Sequence, residues 1–346
     1  MIRFGMHCNL LVPDLLWPER ELRDIYRDLK LPALERLLAK GRRRHADARS
    51  TEAWLCEHFA VERQADWPVA PLTLLADGGE PGAHYWLRAD PVHLKLEGSR
   101  LMLADSGVFA ISQQEADSLT DTLNAHFAGD GLTFDPLRPD RWYVRTDQAP
   151  ALETTALPEV AGKSVDALLP RGADAPSWRA RFNDVQMLLH GHAVNIEREN
   201  AGRLPVNSVW LWGGGTMPSA LSAPFHTVWS KDALALGLAK AARLAPRDLP
   251  AGAAQLLRGS PSEGINLVLL DGLRAAAQFG DADGWRARLH QIERDWFAPL
   301  SQALLQGRIG MVSVHALGPE GVLSSETTRG DLRRFWRRVK PLADYQ

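Results

Sequence analysis

The sequence predicts an α/β protein with a doubly wound, mainly parallel sheet and a smaller α+β insert. Three observations support this fold class: strands and helices alternate near both ends of the chain, the middle is rich in short β-like runs, and residues 265–270 form a continuous apolar run typical of a buried parallel strand. We place the core in residues 1–65 and 200–346 and the insert in residues 66–199.

The first third of the core begins with a predicted buried strand at residues 9–16, followed by a helix from about Glu19. Pro32 begins a second helix that ends at Gly41. The basic run 42–45 is predicted to be the solvated C-terminus of that helix, where cations suit the helix dipole. Ser50 or Thr51 is predicted to cap the next helix.

The insert is predicted to be mainly short strands and one helix. Ser112 and Glu115 have the spacing of a capping box and predict a helix start. Turn residues separate the predicted strands, which are residues 69–75, 84–89, 92–96, 101–103 and 141–145.

The second half of the chain returns to alternation. The predicted helices are residues 176–189, 231–244, 283–305 and a basic helix at 329–338. The predicted strands are residues 206–212, 265–270 and 308–315.

Composition excludes several classes of protein. Forty basic and 42 acidic residues give a net charge of −2, so overall charge recruits neither nucleic acid nor a membrane, and neither is expected as a partner. No stretch approaches the roughly 20 apolar residues of a membrane span. The two cysteines, Cys8 and Cys56, form neither a disulfide framework nor a zinc site, which favours a reducing, cytoplasmic location.

Residues 187–215 are the most informative stretch. An alternating strand ends on Gly213, Gly214 and Gly215, which allow a loop backbone to approach a ligand closely or simply permit a tight turn. Asn195 and Arg198 lie just upstream, where they bind a ligand or cap and bridge the fold.

This stretch resembles the central signature of archaeal-type cofactor-independent phosphoglycerate mutases, of the alkaline phosphatase superfamily. The whole chain is also similar to proteobacterial phosphoglycerate-mutase-like proteins of the RpfE type (regulation of pathogenicity factors). The matching residues are His192, Val194, Asn195, Arg198, Gly202, Pro205, Asn207, Trp210, Leu211, Trp212, Gly213 and Gly215.

The resemblance implies an alkaline-phosphatase-like sheet, two divalent metals (Mn or Zn) and a serine nucleophile. The segment 49–53 resembles the nucleophile motif and places Ser50 at the nucleophile position. Of the metal ligands, only Asp14 and His315 are retained, as vestigial candidates. The other ligand positions fall near Arg274, Gln278 and Phe335.

Two ligands cannot hold two dications, so we expect no metal cofactor. Arginines suit phosphate or carboxylate groups without a metal. The predicted anion-binding residues are Asn195, Arg198, Asn207, Gly213, Gly214, Gly215, Arg274, Arg337 and Arg338.

Simpler structural interpretations stand beside these roles. Asp14 follows Pro13 next to a helix start and fits an N-cap or a turn residue. A lone His315 on an apolar strand is about three times more often a core residue than a ligand. The basic segment 329–340 is typical of a solvated face, although Phe335 and Trp336 also permit stacking on nucleotides.

We therefore expect a non-catalytic relative of the mutases with a regulatory role, which binds a small phosphorylated or carboxylate ligand or a protein partner. The alternative is an active, metal-dependent phosphoglycerate mutase or phosphatase that uses Ser50 with Mn or Zn. A weaker alternative is a regulator that binds nucleic acid through the C-terminal arginines.

Overall fold

The computed structural model describes residues 5–19, 21–259 and 263–346. In chain order, the strands are β1 (His7–Pro13), β2 (Arg42–Ala46), β3 (Tyr85–Glu97), β4 (Arg100–Ala104), β5 (Leu132–Arg138), β6 (Arg141–Thr146), β7 (Ser208–Gly215), β8 (Thr227–Ser230), β9 (Ala245–Asp248), β10 (Ile265–Leu269), β11 (Met311–Gly318) and β12 (Gly321–Thr328).

The α-helices are α1 (Pro32–Lys40), α2 (Thr51–His58), α3 (Val69–Asp77), α4 (Gln113–Phe127), α5 (Leu157–Val160), α6 (Ala175–His190), α7 (Ala193–Asn200), α8 (Ala233–Ala241), α9 (Ala253–Gly259), α10 (Arg274–Gln278), α11 (Ala282–Ile292) and α12 (Ala298–Leu305). A π-helical turn, Glu293–Phe297, joins α11 to α12. No helix in the described ranges is long and apolar enough to span a membrane.

The chain divides into two compact units, of which the first comprises Met1–Phe59 and Ser222–Gln346. Its seven-stranded sheet has the order β2-β12-β11-β1-β10-β8-β9. The five strands from β11 to β9 are parallel, whereas β12 and β2 each pair antiparallel with their inner neighbour. One face of the sheet buries Cys8, Leu10 and Val12 in an apolar core with residues of α1, α11 and α12.

The second unit is Ala60–Leu221. Its antiparallel sheet has the order β4-β3-β6-β5, and β7 pairs with the long strand β3. Helices α4 and α6 cover this sheet, and Leu119, Leu123, Trp178 and Leu189 lie in a core with the fully buried Trp142. Ser112 caps α4 in the predicted capping box with Glu115.

The boundaries of these units differ from the predicted ones. The strand that ends on Gly213–Gly215 was assigned to the core sheet, but β7 forms its ladder with β3, from Val92↔Ser208 to Trp86↔Gly215. Because its hydrogen bonds go to β3, β7 belongs to the insert. The glycine turn therefore ends a strand of the insert sheet and not a strand of the core sheet.

Several predicted elements are wrong. Residues 42–45 form the edge strand β2 rather than a helix end, because β12 supplies a partner strand. Residues 69–75 are helical, since a short apolar run fits either period. The predicted basic helix 329–338 is wrong: it contains only a 3₁₀ turn at Asp331–Arg333.

Candidate functional site

The carboxyl ends of three parallel strands meet at one edge of the first unit's sheet. Asp14 directly follows β1, Asp232 follows β8 and Asp271 follows β10. In open α/β sheets this edge is where ligands bind. The sheet therefore gathers three carboxylates where a functional site is expected.

Arg274, the first residue of α10, lies among these carboxylates. Its Nη2 donates a 2.5 Å hydrogen bond to the Thr51 hydroxyl, and its Nη1 lies 3.7 Å from Oε1 of Glu52. The Arg274 side chain is 20% exposed and that of Glu52 is 9% exposed. A partly buried guanidinium thus connects α10 to the first turn of α2.

The charges of this cluster act on one another. Burial alone would lower the pKa of Arg274, but Glu52, Asp232, Asp14 and Asp271 outweigh burial and raise it. Burial and then the neighbouring Asp232 raise the pKa of Asp271, against the opposing effect of Arg274. The site is therefore an acidic cluster that encloses a permanent cation.

The predicted nucleophile, Ser50, is the N-cap of α2. Its Oγ accepts a 3.1 Å hydrogen bond from the amide of Ala53, which confirms the predicted cap. Thr51 is the residue whose hydroxyl contacts Arg274. If either hydroxyl faces the acidic cluster, the geometry favours Thr51.

The vestigial ligands Asp14 and His315 belong to neighbouring strands: Asp14 directly follows β1, and His315 lies in β11. The Asp14 amide donates to the carbonyl of Leu317, two residues after His315, and Asp14 is one of the charges that raise the pKa of Arg274. The His315 ring instead contacts the Ser324 hydroxyl, 2.8 Å from Nδ1, and the Asn9 amide oxygen, 3.5 Å from Nε2. Its environment is that of a hydrogen-bonded core histidine.

Burial, together with the nearby His58 and His7, lowers the pKa of His315 to about 4. The His58 ring stacks on Trp54, with 3.6 Å between ring centroids, and lies 6.5 Å from the His315 ring. A neutral imidazole is therefore the stable form of His315 in the folded protein at neutral pH.

The predicted anion-binding arginines do not all share one site. Arg337 donates from Nη1 to the carbonyls of Lys40 and Gly41, so it caps the C-terminus of α1. Arg338 is exposed on the C-terminal segment. Arg274, by contrast, lies among the carboxylates of the cluster.

The signature residues Asn195 and Arg198 lie in α7, in the second unit. Asn195 is 1% exposed. Its side-chain amide donates to the carbonyls of Leu189 and Val206 and accepts from the amide of Val206. Arg198 is fully buried and donates to the carbonyls of Leu204 and Ala110 and to Glu115. These contacts favour a structural role, and anion binding by the two residues stays a prediction.

Asn207 continues the β7–β3 ladder with its side chain: Oδ1 accepts from the amide of Leu94 and Nδ2 donates to its carbonyl. At the other end of β7, Gly213 has φ +63°, and a Cβ there would lie 2.8 Å from Cβ of Val69. Cβ atoms on Gly214 and Gly215 would lie 2.5 Å from the Tyr85 hydroxyl and 2.6 Å from Cβ of Pro68. Close packing therefore accounts for all three glycines, and their predicted ligand contact stays untested.

A buried ion pair, not foreseen from the sequence, explains Trp212 in the signature. Arg88 donates to Oδ1 of Asp90 at 2.6 Å, and the indole Nε1 of Trp212 donates to Oδ2 of Asp90 at 2.7 Å. The guanidinium lies over the rings of Tyr143 and Trp212, 5.4 and 5.1 Å from their centroids. Trp212 of the signature thus contacts both members of a buried ion pair in the insert.

The sequence contained a signal for the residues of the acidic cluster that the prediction missed. Asp271 directly follows the predicted strand 265–270, and Asp232 lies just beyond the apolar Val228–Trp229 pair, so both stand at strand ends. Thr51 and Glu52 directly follow Ser50 in the segment 49–53, which resembles the nucleophile motif.

The chain is similar in sequence to 2,3-bisphosphoglycerate-independent phosphoglycerate mutases. It is 26% identical to the enzyme of Methanosarcina mazei over 215 residues, which is 57% of this chain and 51% of that protein. A probable enzyme of the same name from Geobacter sulfurreducens is 28% identical over 45% of the chain and 39% of its own length. The matches thus span about half or less of these relatives, and no protein-family model matches the chain.

Solved structures show the same fold over nearly the whole chain. The cofactor-independent phosphoglycerate mutase of Thermoplasma acidophilum aligns with a TM-score of 0.53 at 17% identity, over 98% of this chain and 94% of that one. A protein of Pyrococcus horikoshii aligns with a TM-score of 0.56 at 15% identity, over 95% and 88%. The predicted α/β fold of the cofactor-independent mutases, with its second sheet, is confirmed.

Proposed function

We propose that this protein is a non-catalytic relative of the cofactor-independent phosphoglycerate mutases that acts by binding a partner, in a regulatory role of the RpfE type. The observation that carries the proposal is the position of Arg274. Its guanidinium stands among the carboxylates at the sheet edge, where the resemblance implies divalent cations.

The donor set at this edge does not fit two dications. In residues 5–19, 21–259 and 263–346, no group of three or more His, Cys, Asp or Glu side chains is arranged to hold a metal ion. A guanidinium about 4 Å from a dication would repel it by several kcal/mol at an effective dielectric constant of about 20. Because Arg274 already neutralises part of the acidic charge, a metal is not needed to stabilise the cluster.

On this proposal the site holds no metals, and it then lacks the groups that phosphoryl transfer in such sites depends on. Two-metal sites activate the nucleophile and stabilise the transferring phosphoryl group. Here the Thr51 hydroxyl accepts a hydrogen bond from the Arg274 guanidinium, which is a cation and not a general base. The carboxylates around Arg274 also disfavour a small phosphorylated ligand, so a macromolecular partner fits the proposed role better.

A coupled assay for interconversion of 3- and 2-phosphoglycerate tests the proposal. We expect no turnover by the purified chain with Mn²⁺, Zn²⁺ or Mg²⁺. Turnover that disappears in Thr51→Ala or Ser50→Ala would show an active mutase instead. Comparing the two variants would then identify the nucleophile, since Ser50 caps α2 and Thr51 contacts Arg274.

A further inference from the structure

The first unit carries a basic surface whose residues are not part of the acidic cluster. Strand β2 is at the edge of the seven-stranded sheet, and all five of its residues are exposed, Arg42, Arg43 and Arg44 among them. An edge strand leaves backbone N–H groups without a ladder partner on its outer side. Guanidinium and amide donors are therefore presented together along this edge.

The C-terminal segment packs beside the start of β2. Lys40 Nζ donates to the carbonyls of Arg334 and Arg337, and Arg337 donates back to the carbonyls of Lys40 and Gly41. The guanidinium of Arg43 lies over the Tyr345 ring, 5.5 Å from its centroid. These contacts join the basic strand and the C-terminal segment into one surface.

Two large aromatic side chains project from this segment. Phe335 is 87% exposed and Trp336 is 66% exposed, and their rings meet edge to face with 5.2 Å between centroids. Burying aromatic side chains of this size would be favourable, and exposed apolar patches often mark interaction sites. Arg333, Arg338 and Lys340 are exposed beside them.

We propose that this surface, formed by Arg42, Arg43, Arg44, Phe335, Trp336 and Arg338, binds single-stranded nucleic acid. Arginines bind phosphates with paired donors, and bases that are not stacked in a duplex stack on open aromatic rings. Arginine predominates over lysine on this surface, which favours phosphate recognition over a general attraction to anions.

The surface is local, which reconciles it with the chain's net charge of −2. Its acidic neighbours include Glu326, opposite Arg42 in the β12–β2 ladder, Asp331, which pairs with Arg334, Glu35, which accepts from the amide of Leu342, and the exposed Asp344. The inference goes beyond the proposed function and does not rest on it, because an active mutase could carry the same surface.

Fluorescence anisotropy of labelled 12-mers of uridine and of thymidine with the full chain, at about 50 mM salt, tests the proposal. We expect binding that weakens as salt rises, and at least a tenfold loss in Phe335→Ala/Trp336→Ala. Arg44→Ala and Arg338→Ala should each reduce the slope of log affinity against log salt by about 0.7. The uridine and thymidine arms show whether RNA or DNA is preferred.

Two variants serve as controls. Arg247→Ala removes an exposed arginine from β9, the opposite edge strand of the same sheet, and Met187→Ala removes a side chain that is 71% exposed in the second unit. Both should bind like the unmodified chain.

Absence of binding to either oligonucleotide would overturn the proposal, as would binding that survives the double aromatic variant. Equal binding to polyglutamate or to vesicles of anionic lipid would show a general polyanion or membrane surface and would also overturn it. None of these outcomes changes the mutase assay, so the two proposals fail separately.

Discussion

The Thr51 hydroxyl accepts a 2.5 Å hydrogen bond from Arg274, and the same guanidinium lies 3.7 Å from Glu52. This contact ties the N-terminus of α2 to the carboxyl edge of the sheet. A cation belonging to the chain thus compensates carboxylates from three strand ends and one helix, and its loss should be felt in stability.

Arg274→Met keeps the length of the side chain and removes its charge. We expect the free energy of unfolding at pH 7 to fall by about 2–4 kcal/mol, because Glu52 and Asp271 lose their counter-charge. The deficit should shrink toward pH 5 as carboxylates in the variant take up protons. Urea unfolding at both pH values measures this; Arg294→Met, at a surface arginine that is 72% exposed, should leave stability unchanged.

His315→Gln tests the buried histidine. With a folded pKa of about 4 against about 6.5 in the unfolded chain, the unfolded state binds more protons between these values, so stability falls as pH drops from about 6.5 to 4. Between pH 7 and pH 5, the free energy of unfolding should fall by about 1–2 kcal/mol less in the variant than in the unmodified chain. The exposed His84→Gln is the control, and identical pH profiles for His315→Gln and the unmodified chain would contradict the assignment.

Asp90→Asn tests the buried ion pair of the insert. Asparagine can still accept from Trp212, but Arg88 would remain buried without a counter-ion. We expect a loss of about 3–5 kcal/mol in unfolding free energy. The double variant Arg88→Met/Asp90→Asn should be more stable than the single one, because it removes the stranded charge; a less stable double variant would refute this explanation.

Gly213→Ala tests whether packing fixes the glycine turn. The variant meets both a left-handed backbone and a Cβ contact of 2.8 Å with Val69. Gly98→Ala meets only the backbone penalty, since Gly98 has φ +62° and no atom within 4 Å of the added Cβ. Thermal unfolding should show that the free energy of unfolding falls by about 1–2 kcal/mol in Gly98→Ala and by about 1–3 kcal/mol more in Gly213→Ala. Equal losses in the two variants would mean that the contact with Val69 costs nothing.

Sequence patterns predicted the elements whose signals are local. Ser112 and Glu115 predicted a capping box and residues 265–270 a parallel strand, and both are confirmed. Either Ser50 or Thr51 was predicted to cap α2, and the cap is Ser50. Elements that depend on distant partners were missed. Residues 42–45 form a strand only because β12 pairs with them, and β7 joins the insert only because β3 lies beside it.

The candidate site was predicted only in part, because it too depends on residues that are distant in the chain. Arg274 was identified from the resemblance, but sequence spacing could not show that it would be surrounded by carboxylates from Asp14, Asp232 and Asp271. Those residues come from three strands that are far apart in the chain and meet only in the folded sheet. The sequence therefore could not show that the surroundings of Arg274 are acidic. This acidity favours a macromolecular partner over a small phosphorylated ligand.

Metal binding by the purified chain tests the central claim most directly. The protein would be equilibrated with Mn²⁺ or Zn²⁺, desalted, and its metal content measured, with isothermal titration as a second readout. We predict no stoichiometric metal at the carboxylate cluster, because Arg274 supplies the positive charge there. About two tightly bound ions per chain, lost on substitution of Asp14 or Asp271, would contradict the account.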